Sequence, residues 1–239
     1  MTIAKGGKTV YGASVGILML ETRFPRIPGD MGNALTWPFP VLYRVVREAT
    51  PDRVVRRKAH GLRDAFITAA RDLVRDGADG ITTNCGFLSL YQDDLAEAAG
   101  VPVAASSLMQ VPLVERLLPP GRRAGILTIS PATLTEEHLV KAGVDRATPV
   151  GGTLADGEFT SQILGDEMTL DAARARAENV AAARELVTRH PEIGAIVLEC
   201  TNMVPYAADI QAAIGRPVFS IYSFVTWFQS ALVPRAFGI

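Results

Sequence analysis

Gly80-Ile-Thr-Thr-Asn-Cys85 and Ala195-Ile-Val-Leu-Glu-Cys200 contain the only two cysteines of the chain. Each is a short apolar run with β-branched residues, the pattern of a buried strand, and each ends on a thiol. Pro102-Val103 and Pro217-Val218 follow them at one offset, 115 residues (200 − 85 and 217 − 102), and Gly100-Val-Pro-Val and Gly215-Arg-Pro-Val keep the register. The chain is therefore an internal repeat. Two similar halves facing each other place one thiol on each side of a shared cleft. That arrangement suits removal of a proton from one face of a carbon and delivery of one to the other, and it points to an enzyme.

Working outward, short apolar runs alternate with helical stretches, the signature of a mostly parallel α/β sheet. Val15-Gly-Ile-Leu-Met-Leu20 opens the first half and Ala124-Gly-Ile-Leu-Thr-Ile129 echoes it. Between them the pattern predicts a charged edge strand at 52–57, a helix at 61–75, and a strand at 79–84 running into Cys85. A helix to 99, a strand at 101–104 and a helix at 107–118 follow. The stripe Leu62, Phe66, Ala69, Ala70, Leu73 marks one face of the 61–75 helix, and Gly77 stands where a left-handed cap is wanted. Pro119-Pro120-Gly121 cannot continue a helix and marks the boundary. The second half predicts helix 131–141, strand 147–150, helix 170–188, strand 194–199, helix 204–213, strand 217–221 and helix 223–233. The expected architecture is two pseudo-symmetric α/β lobes, 1–119 and 120–221, each a four-stranded, mostly parallel sheet flanked by helices. The aromatic closing segment 222–239 is expected to pack back on the first lobe, and the site to lie in the interlobe cleft.

Residues 22–40, with four prolines and two glycines, fit neither pattern. An irregular stretch longer than about 12–15 residues is often a lid or binding loop, and this one leaves the carboxyl end of the first strand, where open α/β sheets bind ligands.

With 239 residues the chain can bury a large core in one domain or two. A net charge of −1 without basic or acidic blocks argues against a nucleic-acid partner. No apolar run approaches the roughly 18 residues of a membrane span. The amino-terminal segment lacks the marks of an export signal. Two cysteines in such a chain are expected to be free thiols in the cytoplasm.

Each cysteine stands where a strand passes into a helix, a position expected to favour thiolate over an ordinary thiol of pKa about 8.5. Gly86 permits close approach of a ligand. The amides of Gly86, Phe87 and Thr201 are candidates to hold a carboxylate, and the side chains of Asn84 and Asn202 to donate to an anionic intermediate. Arg23 and Arg26 in the 22–40 stretch are candidate carboxylate partners, and Ser130 a candidate pocket residue at a strand end. His60, His138 and His190 occur singly, without zinc-ligand spacing. No phosphate-binding loop or dinucleotide fingerprint is present.

At its cysteine motifs the chain resembles the aspartate/glutamate/hydantoin racemase superfamily, which includes arylmalonate decarboxylase and maleate isomerase. The likeness runs through Gly16-Ile-Leu, Thr82-Thr-Asn-Cys85, Gly125-Ile-Leu-Thr and Leu198-Glu-Cys-Thr-Asn202. It implies two lobes, no cofactor, a homo-oligomer, and Cys85 and Cys200 as a pair of acid/base groups. One takes a proton α to a carboxylate and the other delivers one. Where amino-acid racemases of that superfamily carry Cys-Asn-Thr and then Cys-Thr-Glu or Cys-Thr-His, this chain has Cys85-Gly86-Phe87 and Cys200-Thr201-Asn202. Their amino-acid-binding residues therefore do not carry over, and Phe87 with Trp37-Pro-Phe-Pro40 implies a less polar pocket. Pro28-Gly-Asp30, Val41-Leu-Tyr-Arg-Val-Val46, Asn84-Cys-Gly-Phe87 and Pro102-Val-Ala-Ala-Ser-Ser107 resemble the algal dimethylsulfoniopropionate lyases, a branch of the superfamily. The leading expectation is a racemase or epimerase of a small carboxylate. The alternatives are a cysteine-dependent lyase, a decarboxylase or isomerase of the same superfamily, and a binding protein without turnover.

Overall fold

A computed structural model describes residues 3–238. The first sheet is formed by β1 (Val15–Leu20), β2 (Val41–Val46), β3 (Gly80–Thr83) and β4 (Val103–Ala104), in the order β2-β1-β3-β4. The second is formed by β5 (Arg123–Thr128), β6 (Val150–Gly152), β7 (Ile193–Leu198) and β8 (Val218–Phe219), in the order β6-β5-β7-β8. All pairings are parallel. The repeat seen in the sequence is thus a repeat of topology, strand for strand. β1 and β3 are buried along their whole length, as strands covered on both faces must be.

Helices α1 (Arg63–Asp76), α2 (Gln92–Ala99) and α3 (Val111–Leu117) belong to the first lobe, and α4 (Glu136–Lys141), α5 (Glu158–Leu164), α6 (Ala172–Arg189) and α7 (Ala207–Ile214) to the second. Phe66, Ala69, Ala70 and Leu73 of the α1 stripe are buried. Corresponding helices α2 and α7 end on Gly100 and Gly215, both left-handed (φ 65° and 63°), which is why glycine recurs at that point of the repeat.

The structure corrects several boundaries. Residues 52–57 form no strand: Pro51 sits in the helical region and starts a π-helical turn, Asp52–Arg56. The edge strand is β2 instead, half-buried as an edge should be. Each cysteine is followed by six residues of 3-10 helix, Gly86–Tyr91 and Thr201–Tyr206, before the α-helix begins. The 131–141 helix shrinks to α4, because Thr135 and His138 form a capping box that starts it late. The unforeseen α5 has its first amides held by Glu178 of α6 at 2.9 and 2.8 Å.

The final helix, α8 (Ile221–Leu232), follows the last strand of the second sheet but lies on the first. Its Ile221 and Val225 pack with Val15, Ile17 and Met19 of β1 and with Met31 and Trp37 of the 22–40 segment. Trp37 stacks on Tyr222 of α8 at 5.7 Å, and Tyr43 of β2 donates to the Met31 carbonyl at 2.8 Å. Among the described residues no helix is long and apolar enough to cross a membrane.

Ile17, wholly buried between β1's neighbours and α8, tests this arrangement. Ile17→Ala is expected to lower the unfolding free energy by about 2–5 kcal/mol, measured by urea denaturation; a loss under about 1 kcal/mol would contradict the packing described.

Candidate active site

Parallel strands point their carboxyl ends the same way, so β3 and β7 deliver Cys85 and Cys200 to the same edge of their respective sheets. The two motifs are bonded to each other there. Thr201 Oγ1 donates to the carbonyl of Asn84 at 2.6 Å, and Ser107 Oγ donates to the carbonyl of Leu198 across the same junction. Asn84 is locked in turn, its Oδ1 accepting the Leu20 amide at 2.8 Å. Thr83 Oγ1 donates to the Ala105 carbonyl at 2.7 Å.

Both cysteines are free and buried. They line one small cavity with Leu20, Phe24, Pro51, Asn84, Gly86, Phe87, Ile129, Ile163, Glu199, Thr201 and Asn202. At about 20 Å³ the cavity has room for a water molecule, not for a carboxylic acid, so a substrate must open it. Of the side chains expected from the sequence, Asn84, Cys85, Gly86, Phe87, Cys200, Thr201 and Asn202 come together here.

Arg23 and Ser130 do not join them. Arg23 is largely exposed and bound to Asp166, through its backbone amide at 2.5 Å and its guanidinium at 3.3 Å. Ser130 turns its carbonyl to the amides of Thr133 and Leu134 at the approach to α4. The inward-facing cation of the 22–40 segment is Arg26, whose guanidinium lies 4.6 Å from the Phe24 ring centre and bonds Asp30 at 2.7 Å and Thr22 at 2.8 Å. Asp30 also accepts the Asn202 side-chain amide at 2.6 Å, which fastens the segment over the cavity and engages an amide expected to be free for an intermediate. The Cys200 thiol faces Asn202 Oδ1 at 3.7 Å.

The charge environment reverses the thiolate expectation. Burial pushes both thiols well above the ordinary range, and the Glu199 carboxylate pushes them further. The backbone amide of Phe87 opposes this at Cys85, and that of Asn202 at Cys200, two residues on in each motif. A 3-10 turn of six residues supplies too little aligned dipole to win. The resting site therefore holds two neutral thiols.

Glu199 is the cavity-lining residue that reading the sequence passed over. It is wholly buried; Oε2 accepts the Thr128 hydroxyl at 2.6 Å, while Oε1 has no partner. Burial pushes its pKa up to about 7 despite that hydrogen bond. Gly86 makes room for it: a Cβ there would lie 2.2 Å from Oε1. The available signal was a lone carboxylate closing an apolar run that had to be buried on both faces. Phe87 is backed edge-on by the buried His138, ring centres 5.0 Å apart, whose pKa burial pushes down to about 4. Among the described residues no three His, Cys, Asp or Glu side chains gather as a metal-ligand set.

No family model matches the chain. It is 30% identical over 248 residues to dimethylsulfoniopropionate lyase 7 of Emiliania huxleyi (strain CCMP1516), covering 95% of this chain and 69% of that protein. It is 29% identical over 236 residues to the dimethylsulfoniopropionate lyase of Durusdinium sp. clade D, covering 95% and 78%. Against lyase 5 of the same Emiliania huxleyi strain it is 29% identical over 243 residues but spans only 47% of that protein's length. In fold it is similar to a double mutant of arylmalonate decarboxylase in the liganded form, with a TM-score of 0.64 at 16% identity and 94% of each chain covered. Glutamate racemase from Francisella tularensis subsp. tularensis SCHU S4 in complex with D-glutamate gives a TM-score of 0.52 at 14% identity, covering 95% of this chain and 85% of the racemase. The two-sheet architecture is thus one shared with arylmalonate decarboxylase and glutamate racemase.

The buried carboxylate has a thermodynamic signature. Unfolded, Glu199 ionises near the ordinary 4.5; folded, it keeps its proton to about 7. The folded state loses the corresponding stability as pH rises from 4.5 through 7. Glu199→Gln removes that loss. Relative to pH 5, the variant at pH 8 is expected to gain on the order of 2–3 kcal/mol over the parent chain in urea unfolding; parallel pH profiles for the two proteins would count against a buried, proton-retaining Glu199.

Proposed function

The chain belongs to the dimethylsulfoniopropionate lyase family, and on that footing we propose that it is an acid–base enzyme that removes the proton α to a carboxylate and expels a β-substituent. The observation that carries the reading is that two free thiols, one from each sheet, line a single cavity. A small carboxylate lying there has its α-carbon within reach of either sulfur once the cavity opens.

The electron bookkeeping is simple. A thiolate lone pair takes the α-hydrogen as a proton, and the C–H pair becomes the new Cα–Cβ π bond. The bond from Cβ to its substituent breaks with its electron pair on the departing atom. For a β-sulfonio acid the departing group is a neutral sulfide, which leaves without protonation. An unsaturated carboxylate remains, and the thiol returns its proton to solvent when the site reopens. The step is hard because the developing anion spreads onto the carboxylate. Preorganised donors are what lower such a barrier. Asn84 is fixed through its Oδ1, which leaves its amide nitrogen to donate, with the early amides of the Gly86–Tyr91 turn beside it. The resting thiols are protonated, so the base is formed on substrate entry, when the electrostatics of the cavity change.

Racemisation or epimerisation of a small carboxylate is the second reading, and one observation favours it. An elimination requires one base, yet a second thiol sits on the opposite sheet at the matching position. A carbanion reprotonated by that second group gives the inverted acid.

Proton NMR in deuterium oxide separates the two, using 3-(dimethylsulfonio)propionate and a panel of chiral 2-substituted acids. Elimination is expected to release sulfide, with one of Cys85→Ser and Cys200→Ser losing about 10²–10⁴-fold and the other less. Racemisation instead requires both thiols, with deuterium entering at the α-carbon of the product. Full activity in both serine variants would remove the cysteine mechanism altogether.

A further inference from the structure

The cavity's ionic make-up is lopsided. Apart from the two thiols its one ionisable lining group is Glu199, and none of its lining residues is Lys, Arg or His. The Arg26 guanidinium, beside the Phe24 ring, is committed to Asp30 and Thr22. The Glu199 carboxylate is wholly buried, with Oε2 engaged by Thr128 and Oε1 unpartnered. The missing side chain at Gly86 is what admits Oε1 to the cavity. Phe24 and Phe87 stand in the same wall.

We propose that Glu199 is the counter-ion for the methylated cationic group of the substrate, the residue that makes the site prefer such an acid to one of the same shape without that charge. The proposal rests on the acid–base reading above and names the residue that selects its substrate. A buried carboxylate without a counter-ion is costly, and a weakly hydrated onium group offsets that cost at little desolvation penalty, with aromatic rings to face it. An acid lacking the cation sets a second anion against Glu199 instead. The groups facing Glu199 are the thiols of Cys85 and Cys200, with Asp30 and Arg26 of the 22–40 segment beyond them. None of these supplies a free cation. Pairing the carboxylate also removes the negative charge that helps keep both thiols protonated, so the same contact that recognises the substrate favours formation of the base.

Calorimetric titration with two isosteres tests this. One is 3-(trimethylammonio)propionate; the other is 4,4-dimethylpentanoate, with carbon in place of nitrogen. At pH 8, where Glu199 is ionised, the ammonium acid is expected to bind about tenfold or more tightly than its carbon isostere. The ratio is expected to shrink toward one at pH 6, as the carboxylate takes up its proton near pH 7. Glu199→Gln is expected to abolish both the preference and its pH dependence. Equal binding of the isosteres by the parent chain at pH 8 overturns the proposal, and needs no variant to fold. So does a preference that survives Glu199→Gln, or failure of the ammonium acid to bind at millimolar concentration. Binding of both acids that strengthens as pH falls overturns it in favour of a neutral Glu199 donating to the carboxylate. Any of these results leaves α-proton exchange, measured separately on acids without a cation, free to uphold the cysteine mechanism.

Discussion

The hydroxyl of Thr201 donating to the carbonyl of Asn84 joins the residue after one catalytic candidate to the residue before the other. Both atoms are buried, so leaving either unpaired would cost about 1–3 kcal/mol. Two independent parallel sheets have no reason of their own to present their strand ends to the same point. This hydrogen bond, with that from Ser107 to the end of β7, ties the two cysteine motifs together. The shared core then follows, with Leu18 and Ile81 of one sheet in the same apolar cluster as Leu127, Ile196 and Leu198 of the other.

Much of this was legible in the sequence because the central strands are unambiguous. A continuous apolar run ending in a cysteine has one reading in a parallel sheet, and its recurrence at a fixed offset gives the second lobe from the first. What escaped detection was whatever depends on partners distant in the chain. The edge strand β2 reads Val-Leu-Tyr-Arg-Val-Val, yet the edge was expected at 52–57, where Asp52–Arg56 forms a π-helical turn; only pairing with β1 identifies β2. Arg23 and Arg26 are three residues apart, and nothing local says that one meets Asp166 while the other turns inward to Asp30. Nothing local to Glu199 says that its carboxylate reaches the cavity, because the room for it is made by Gly86, far away in sequence.

The electrostatic lesson concerns competing effects on a thiol. A strand-to-helix junction pulls its pKa down by the amides that point at it; enclosure in a cavity of water size pushes it up. Here enclosure wins at both positions. Raised in this way, neither sulfur is a good base or nucleophile until something alters the field around it.

The placement of α8 bears on the order in which the protein can assemble during synthesis. Val15, Ile17 and Met19 of the first strand wait for Ile221 and Val225, some two hundred positions further along the polypeptide. Until those residues leave the ribosome, one side of the nascent amino-terminal sheet has no cover and the segment carrying Trp37 has no platform. Translation thus passes through a long interval with greasy surface bared. Chaperone capture is best sought in chains stalled within that interval.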